Sequence, residues 1–282
     1  MLNRADDESR WDKRIARARQ LADEYPPAAD VLIFYAALAE YQKSLLGKKH
    51  NRASGFGLQA SGVLLFEALD LEPVLAAIPD FLSWLPRVAP ASLTESAADM
   101  RQIDRARWRG LAHSYLACDG RDVEDADQTL VFVLEALLQP FAEQLAMRIA
   151  NSSMSARGGS LKPEPHCPFC GGLPVVGVLR EEGQGAKRTL VCALCLTERE
   201  YLRIVCPACG EQQFDALPVY TAEQFVHVRI EACESCSRYL KTIDLTKDGL
   251  AVPLVDDIAS VSLDFWARDR GYVRLRPNLL RM

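Results

Sequence analysis

The sequence is poor in the features that mark nucleic-acid, membrane or secreted proteins. Lysine and arginine total 33 against 38 aspartates and glutamates, a formal charge of −5. Residues 1–160 carry −4 of this and the remainder −1, so neither half offers the basic field that phosphate binding needs. The opening stretch, MLNRADDESRW, has no apolar segment of the kind a secretory leader requires. The most apolar run, Thr129 to Gln139, is interrupted by Glu135 and is too short to span a bilayer. These absences predict a cytoplasmic protein with no membrane insertion and no nucleic-acid partner. Histidine is scarce, with four in 282 residues, and no catalytic constellation stands out. Asp125, Asp127 and Glu135 read as a solvated helix face, Cys118 as a lone small apolar group, and His50 and His113 as ordinary histidines.

Residues 1–160 also lack the period-two alternation of strands and any internal repeat. Trp11, Ile15, Ala18, Leu21 and Ala22 recur at spacings of three and four, which predicts a helix ended by Pro26-Pro27. Val31, Phe34, Tyr35, Leu38 and Leu45 predict a second helix, stopping near Gly47. The basic cluster Lys48-Lys49-His50-Asn51-Arg52 reads as a solvated helix end, and Gly55, Gly57 and Gly62 predict a loop over 51–62. Short helices are expected at 63–70 and 72–85. Ser92 to Glu95 has capping-box spacing at the start of another, which continues around Trp108 to Leu116. A long helix over 124–150 carries Pro140, which should kink or split it. The expectation is a bundle of six or seven helices. The stretch 151–162, rich in Ser and Gly, is the linker that ends this first domain at residue 160.

What the chain does have is cysteine. Eight of its nine fall between Cys167 and Cys236, as four Cys-x-x-Cys pairs: Cys167/Cys170, Cys192/Cys195, Cys206/Cys209 and Cys233/Cys236. Two intervening residues let one tight turn aim both sulfurs at a single ion, and two such turns complete a tetrahedron. The doublets, with 21 and 23 residues between their pairs, predict two tetrathiolate metal sites in tandem, one ion in each. In a reducing compartment such pairs are ligands or redox groups rather than structural disulfides. Proline after the first cysteine and glycine after the second distinguish Cys167-Pro-Phe-Cys170-Gly171 and Cys206-Pro-Ala-Cys209-Gly210 from the two plain knuckles. Sequential pairing joins one knuckle of each kind and needs only hairpins; an interleaved cross-brace is the alternative. His166 and His227 stand near the sites, with four thiolates per ion already available. Residues 173–180 and 188–191, separated by the turn EEGQG, read as a hairpin. Val226, Val228 and Ile230 alternate with polar residues as a strand, and Tyr239 to Leu245 reads as another. Asp256-Asp257 begin a helix with Ile258, Val261, Phe265 and Trp266 on its apolar side, ending at Gly271, and the tail is expected to pack back on the body. The fold class is α+β: a helical domain over 1–160, a first rubredoxin-like or zinc-ribbon module over 161–200, and a second with a C-terminal helix over 201–282. A sulfur-only tetrahedron suits zinc and mononuclear iron alike.

The knuckles in this order (CPFC-GG, CALC, CPAC-G, CESC), followed by KTIDL, SVSLDFWARDRGY and a PNLL ending, resemble the formate dehydrogenase accessory protein family, FdhE, as does LQPFAEQLA at 138–146. The resemblance implies a non-enzymatic, cytoplasmic maturation factor that binds the catalytic subunit of a respiratory formate dehydrogenase before export by the twin-arginine route. It also implies iron rather than zinc at sites formed by Cys167, Cys170, Cys192, Cys195, Cys206, Cys209, Cys233 and Cys236. The residues alone leave open a different class: a redox protein that transfers electrons at a thiolate–iron site or exchanges disulfides.

Overall fold

The computed structural model describes residues 4–47, 69–117, 127–152 and 164–282. The loop expected over 51–62, most of the short helix expected at 63–70, His50, Cys118, Asp125 and the linker beyond Ser152 lie outside them. Among the described residues the first half holds six α-helices: α1 (Arg4–Glu24), α2 (Ala29–Gly47), α3 (Glu72–Trp84), α4 (Ala91–Met100), α5 (Arg105–Ala117) and α6 (Gln128–Ser152). The apolar stripe of α1, from Trp11 through Ala18 to Leu21, is buried against α2, as its period requires. Helix α4 begins at Ala91 with Pro90 as its N-cap residue, and the Thr94 hydroxyl donates to the Pro90 carbonyl. Ser92 therefore lies inside the first turn rather than capping it.

Pro140 does not split α6, which runs unbroken from Gln128 to Ser152. A proline at position 140 leaves the carbonyl four residues earlier without its helical donor. That carbonyl, Ala136 O, accepts a hydrogen bond of 2.8 Å from the buried Gln42 side chain of α2 instead. The helix agrees with the one expected over 124–150, unbroken at the proline. By length and composition, residues Gln128–Ala150 meet the requirement for a bilayer span, and 72% of the apolar window within them is buried inside the protein. Glu135, expected on a solvated face, is buried at its centre. Arg276 and Arg281 ion-pair with it, and Tyr115 donates to it at 2.7 Å. The two arginines lie up to 146 residues downstream, so the C-terminal tail does pack back, with Arg276 and Arg281 on one buried carboxylate.

The second half is one seven-stranded sheet. Its strands are β1 (Pro174–Glu182), β2 (Gly185–Cys192), β3 (Glu198–Glu200), β4 (Val219–Ala222), β5 (Phe225–Cys233), β6 (Arg238–Asp244) and β7 (Val273–Arg274). The order is β3-β2-β1-β6-β5-β4, with β7 on β6. Two antiparallel ribbons, one per cysteine module, therefore meet along a parallel seam where Gly177, Val178 and Leu179 of β1 face Thr242, Ile243 and Asp244 of β6. Gly177 makes the seam possible, because a Cβ there would overlap the Thr242 hydroxyl and stand 3.2 Å from its Cβ. One face of the sheet (Val176, Val178, Val228, Ile230, Ile243) packs on the C-terminal helices, burying Leu263 and Ala267.

Those helices are two, α7 (Pro253–Ala259) and α8 (Val261–Asp269), parted at Ser260. The break separates the predicted stripe: Ile258 is buried while Phe265 is exposed beneath the Arg268 guanidinium. Asp256 and Asp257 sit inside α7 and are both buried. Lys241, wholly buried on β6, donates to Asp264 at 2.5 Å; Arg274 pairs with both Asp257 and Asp264; and Asn278 donates to Asp257 at 2.9 Å. Burial opposes the charge on Asp257, but Arg274 and Lys241 outweigh it and hold the carboxyl below its ordinary range. The network ties sheet, α7, α8 and tail together with buried charges matched two against two.

Candidate metal centres

The eight thiols fall into two groups of four, Cys167/Cys170/Cys192/Cys195 and Cys206/Cys209/Cys233/Cys236. This is the sequential arrangement; the interleaved one is not what the chain adopts. In the first group the sulfurs of Cys167 and Cys195 are 3.5 Å apart, Cys170 and Cys192 3.3 Å, and Cys170 and Cys195 3.6 Å. In the second, Cys206 and Cys236 are 3.8 Å apart and Cys209 and Cys233 3.6 Å. Four sulfurs at ~2.3 Å from one ion have edges of about 3.8 Å. The donor sets thus have the size as well as the chemistry of tetrahedral thiolate sites, and all eight cysteines are free thiols.

Each knuckle turns on the residue after its second cysteine. Gly171 and Gly210 have φ of 73° and 79°, as their sequence foretells. Leu196 and Ser237, at the same place in the plain knuckles, take the left-handed conformation too, with φ of 53° and 54°. Composition gave no hint of these two, since the strain falls on residues that normally avoid it, at about 1 kcal/mol each. In the glycine knuckles the turn closes with Gly171 N–H donating to Cys167 O and Gly210 N–H to Cys206 O, at 2.8 and 3.0 Å. Ala208 N–H donates to Cys206 Sγ at 3.3 Å, and the Thr197 hydroxyl stands 3.2 Å from Cys195 Sγ. A Cβ at Gly172 would sit 3.2 Å from Cys192 Sγ and 3.3 Å from Cys170 Sγ, so the first site tolerates only glycine without adjustment.

The sites differ in setting. All four sulfurs of the first are buried and belong to the same apolar cluster as the helical core. Gln139 of α6 donates to the Ala193 carbonyl, inside the Cys192 knuckle, at 3.0 Å. The second site reaches the surface, where Cys209 is exposed and Cys236 half-buried. In the metal-free protein, burial pushes the Cys206 thiol up to about 11 and Cys236 higher still. An ion must displace these protons, so binding there releases them and strengthens with pH.

Neither nearby histidine joins a thiol tetrad. His166 Nδ1 is 2.8 Å from the Gly171 carbonyl of its own knuckle. His227 is buried, 2.8 Å from Asp256, where alternation alone would have put it outside. Asp248 completes a third group of metal-type donors with these two. The Arg17 guanidinium of α1 occupies that position, pairing with Asp256 at 2.6 Å and Asp248 at 2.8 Å, so a cation is already supplied by the chain.

Two thiol tetrads on one fused sheet, backed by a helical half, have known counterparts. Residues 166–203 match the family description "FdhE, central domain" and residues 204–281 "FdhE, C-terminal domain". A protein FdhE homolog from Pseudomonas aeruginosa is 30% identical over 294 residues, covering 95% of this chain and 88% of that one. The chain belongs to the FdhE family. An FdhE homolog from Aquifex aeolicus is 29% identical over 271 residues, covering 92% of this chain and 91% of its own. The crystal structure of the FdhE protein from Pseudomonas aeruginosa superposes with a TM-score of 0.72 at 28% identity, covering 96% of this chain and 95% of that one. The FdhE architecture here is α+β, a helical bundle followed by tandem zinc-ribbon-like modules and a helical C-terminus.

Proposed function

We propose that this FdhE protein is a non-enzymatic accessory factor for respiratory formate dehydrogenase, acting in the cytoplasm by binding the enzyme's catalytic subunit before twin-arginine export. The observation that carries the reading is membership of the family along nearly the whole chain with both thiol tetrads complete. In this reading Cys167, Cys170, Cys192 and Cys195 hold one ion and Cys206, Cys209, Cys233 and Cys236 a second. The resemblance favours iron, with zinc the alternative for the same donors. Each ion cross-links two knuckles and supplies folding free energy, on the order of 10 kcal/mol by comparison with zinc-finger peptides. We divide the chain at residues 160 and 200, so that each metal-holding module is a unit of its own on the shared sheet.

The test is capture of the formate dehydrogenase catalytic subunit by the tagged protein, together with formate dehydrogenase activity in a strain lacking it. Absence of capture with normal activity rejects the reading. Exposure of Cys209 favours one second reading, electron transfer at the surface site. An iron-loaded protein whose visible absorption bleaches and returns on one-electron reduction and reoxidation supports it. A native protein holding zinc alone removes it.

A further inference from the structure

A cleft of about 410 Å³ opens beside the second thiol tetrad, with Cys206 and Cys233 in its wall. Its volume falls in the ~300–1,000 Å³ range of ligand-holding clefts. Leu240 and Leu275 are buried at its base, while Ile204, Phe214 and Val219 stand exposed on its rim. Phe214 is 75% exposed, which is costly for an aromatic side chain that nothing covers. Four arginines line the cleft, Arg188, Arg203, Arg229 and Arg238, against one acid, Glu231. In a chain of net charge −5 this is a local reversal of sign, and it selects anionic partners. Arg188 and Arg229 are committed to Glu231, whereas Arg203 is exposed at the mouth. Val219 belongs to β4, which ends the sheet on the side away from β3 among the described residues, so a further strand can add along its open side.

We propose that this cleft docks an extended polypeptide segment laid along β4, whose cleft-facing positions, two residues apart, carry an apolar side chain for the cleft and a carboxylate for Arg203. Along an added strand every second side chain faces the cleft, so an apolar side chain and a carboxylate two residues apart both reach the face that carries Phe214 and Arg203. The occupant then lies against the second metal site, at its exposed side. That the segment belongs to the client rests on the accessory-factor reading above.

The direct test is fluorescence anisotropy with the metal-loaded full chain and a labelled synthetic peptide in which Leu and Glu alternate at every second position with Thr between them, beside its Lys-for-Glu counterpart. The acidic peptide is expected to bind about tenfold tighter than the basic one, and Arg203→Glu or Phe214→Ser to weaken it by about tenfold each. Ile33→Ser, on the helical half and also at an exposed apolar residue, is expected to leave it unchanged. Equal binding of the two peptides, or undiminished binding by both rim variants, overturns the proposal. So does self-association of the wild type that Phe214→Ser abolishes, since the occupant is then a second copy. Capture of the catalytic subunit by the same variants separates the two readings. Capture lost in the rim variants supports both. Capture that the rim variants leave intact overturns the cleft alone. No capture by the wild type, with normal formate dehydrogenase activity in the strain lacking it, rejects the accessory role, while the peptide titration still decides the cleft.

Discussion

Replacing Gln42 with leucine tests how a proline is carried in the middle of a core helix. Gln42 Nε2 donates to Ala136 O at 2.8 Å, the carbonyl that Pro140 deprives of its helical partner. Leucine fills similar space, so the loss is chiefly that of the hydrogen bond to a buried carbonyl, about 1–3 kcal/mol. In a Pro140→Ala background the helix supplies its own N–H to that carbonyl, and the same substitution should cost below ~1 kcal/mol. The expected coupling is about 1–2 kcal/mol, read from urea midpoints of the four proteins at constant slope and full metal load. A second readout follows from the neighbouring contacts. Gln42 Nε2 also stands 3.4 Å from Gln139 Oε1, and Gln139 in turn donates to Ala193 O between two proposed ligands. Gln42→Leu should therefore hasten loss of the first ion to a chelator more than loss of the second. Equal cost of Gln42→Leu in both backgrounds refutes the reasoning.

Gly177→Ala should cost about 1–3 kcal/mol through the clash at the seam, and less beside Thr242→Ala, where only the 3.2 Å contact with Cβ remains; denaturant unfolding of the pair checks it. Glu135→Gln leaves Arg276 and Arg281 buried without a full counter-charge and should destabilise by roughly 3–5 kcal/mol, measured in the same way. Chelator competition followed by stopped flow should release the two ions in separate phases, the faster from the exposed site, and Cys209→Ser should remove the fast phase while sparing the slow one. Burial would raise the Asp256 carboxyl, but hydrogen bonds from His227 and Arg17 prevail and hold it below its ordinary value. Its contribution to stability is thus complete above the unfolded pKa of ~3.9 and is lost as pH falls through the lower folded value. Asp256→Asn should flatten the stability–pH slope in that acid window, and an unchanged slope counts against it.

How much of this was legible depended on whether the signal was local. The stripes of α1 and α2 are helical-period patterns, and the cysteine pairs carry their own geometry, so both could be read directly. Glu135 could not, because the arginines that neutralise it come from the far end of the chain. Alternation in β5 promised Val226 inside and His227 outside; Val226 is instead exposed and His227 buried, because Asp256 of α7 waits for the imidazole. Leu196 and Ser237 adopt a glycine's conformation with nothing in their identity to announce it. The parallel seam had one faint sign, a glycine in the middle of an otherwise β-branched strand, a pattern that marks close approach of another backbone.

Similar spacing in the two cysteine doublets suggested two like modules, but the surroundings make them unlike. The first tetrad shares its apolar cluster with α1–α6, and its knuckle accepts a hydrogen bond from Gln139, so an ion there fastens the ribbon to the bundle. The second leaves Cys209 exposed and opens beside an apolar cleft ringed with arginine. Removing the first ion should loosen the union of the two halves, whereas removing the second should deform a binding surface and leave that union standing. Similar spacing in the sequence thus fixes only which thiols come together; what an ion in each tetrad would hold together is decided by the elements packed around it.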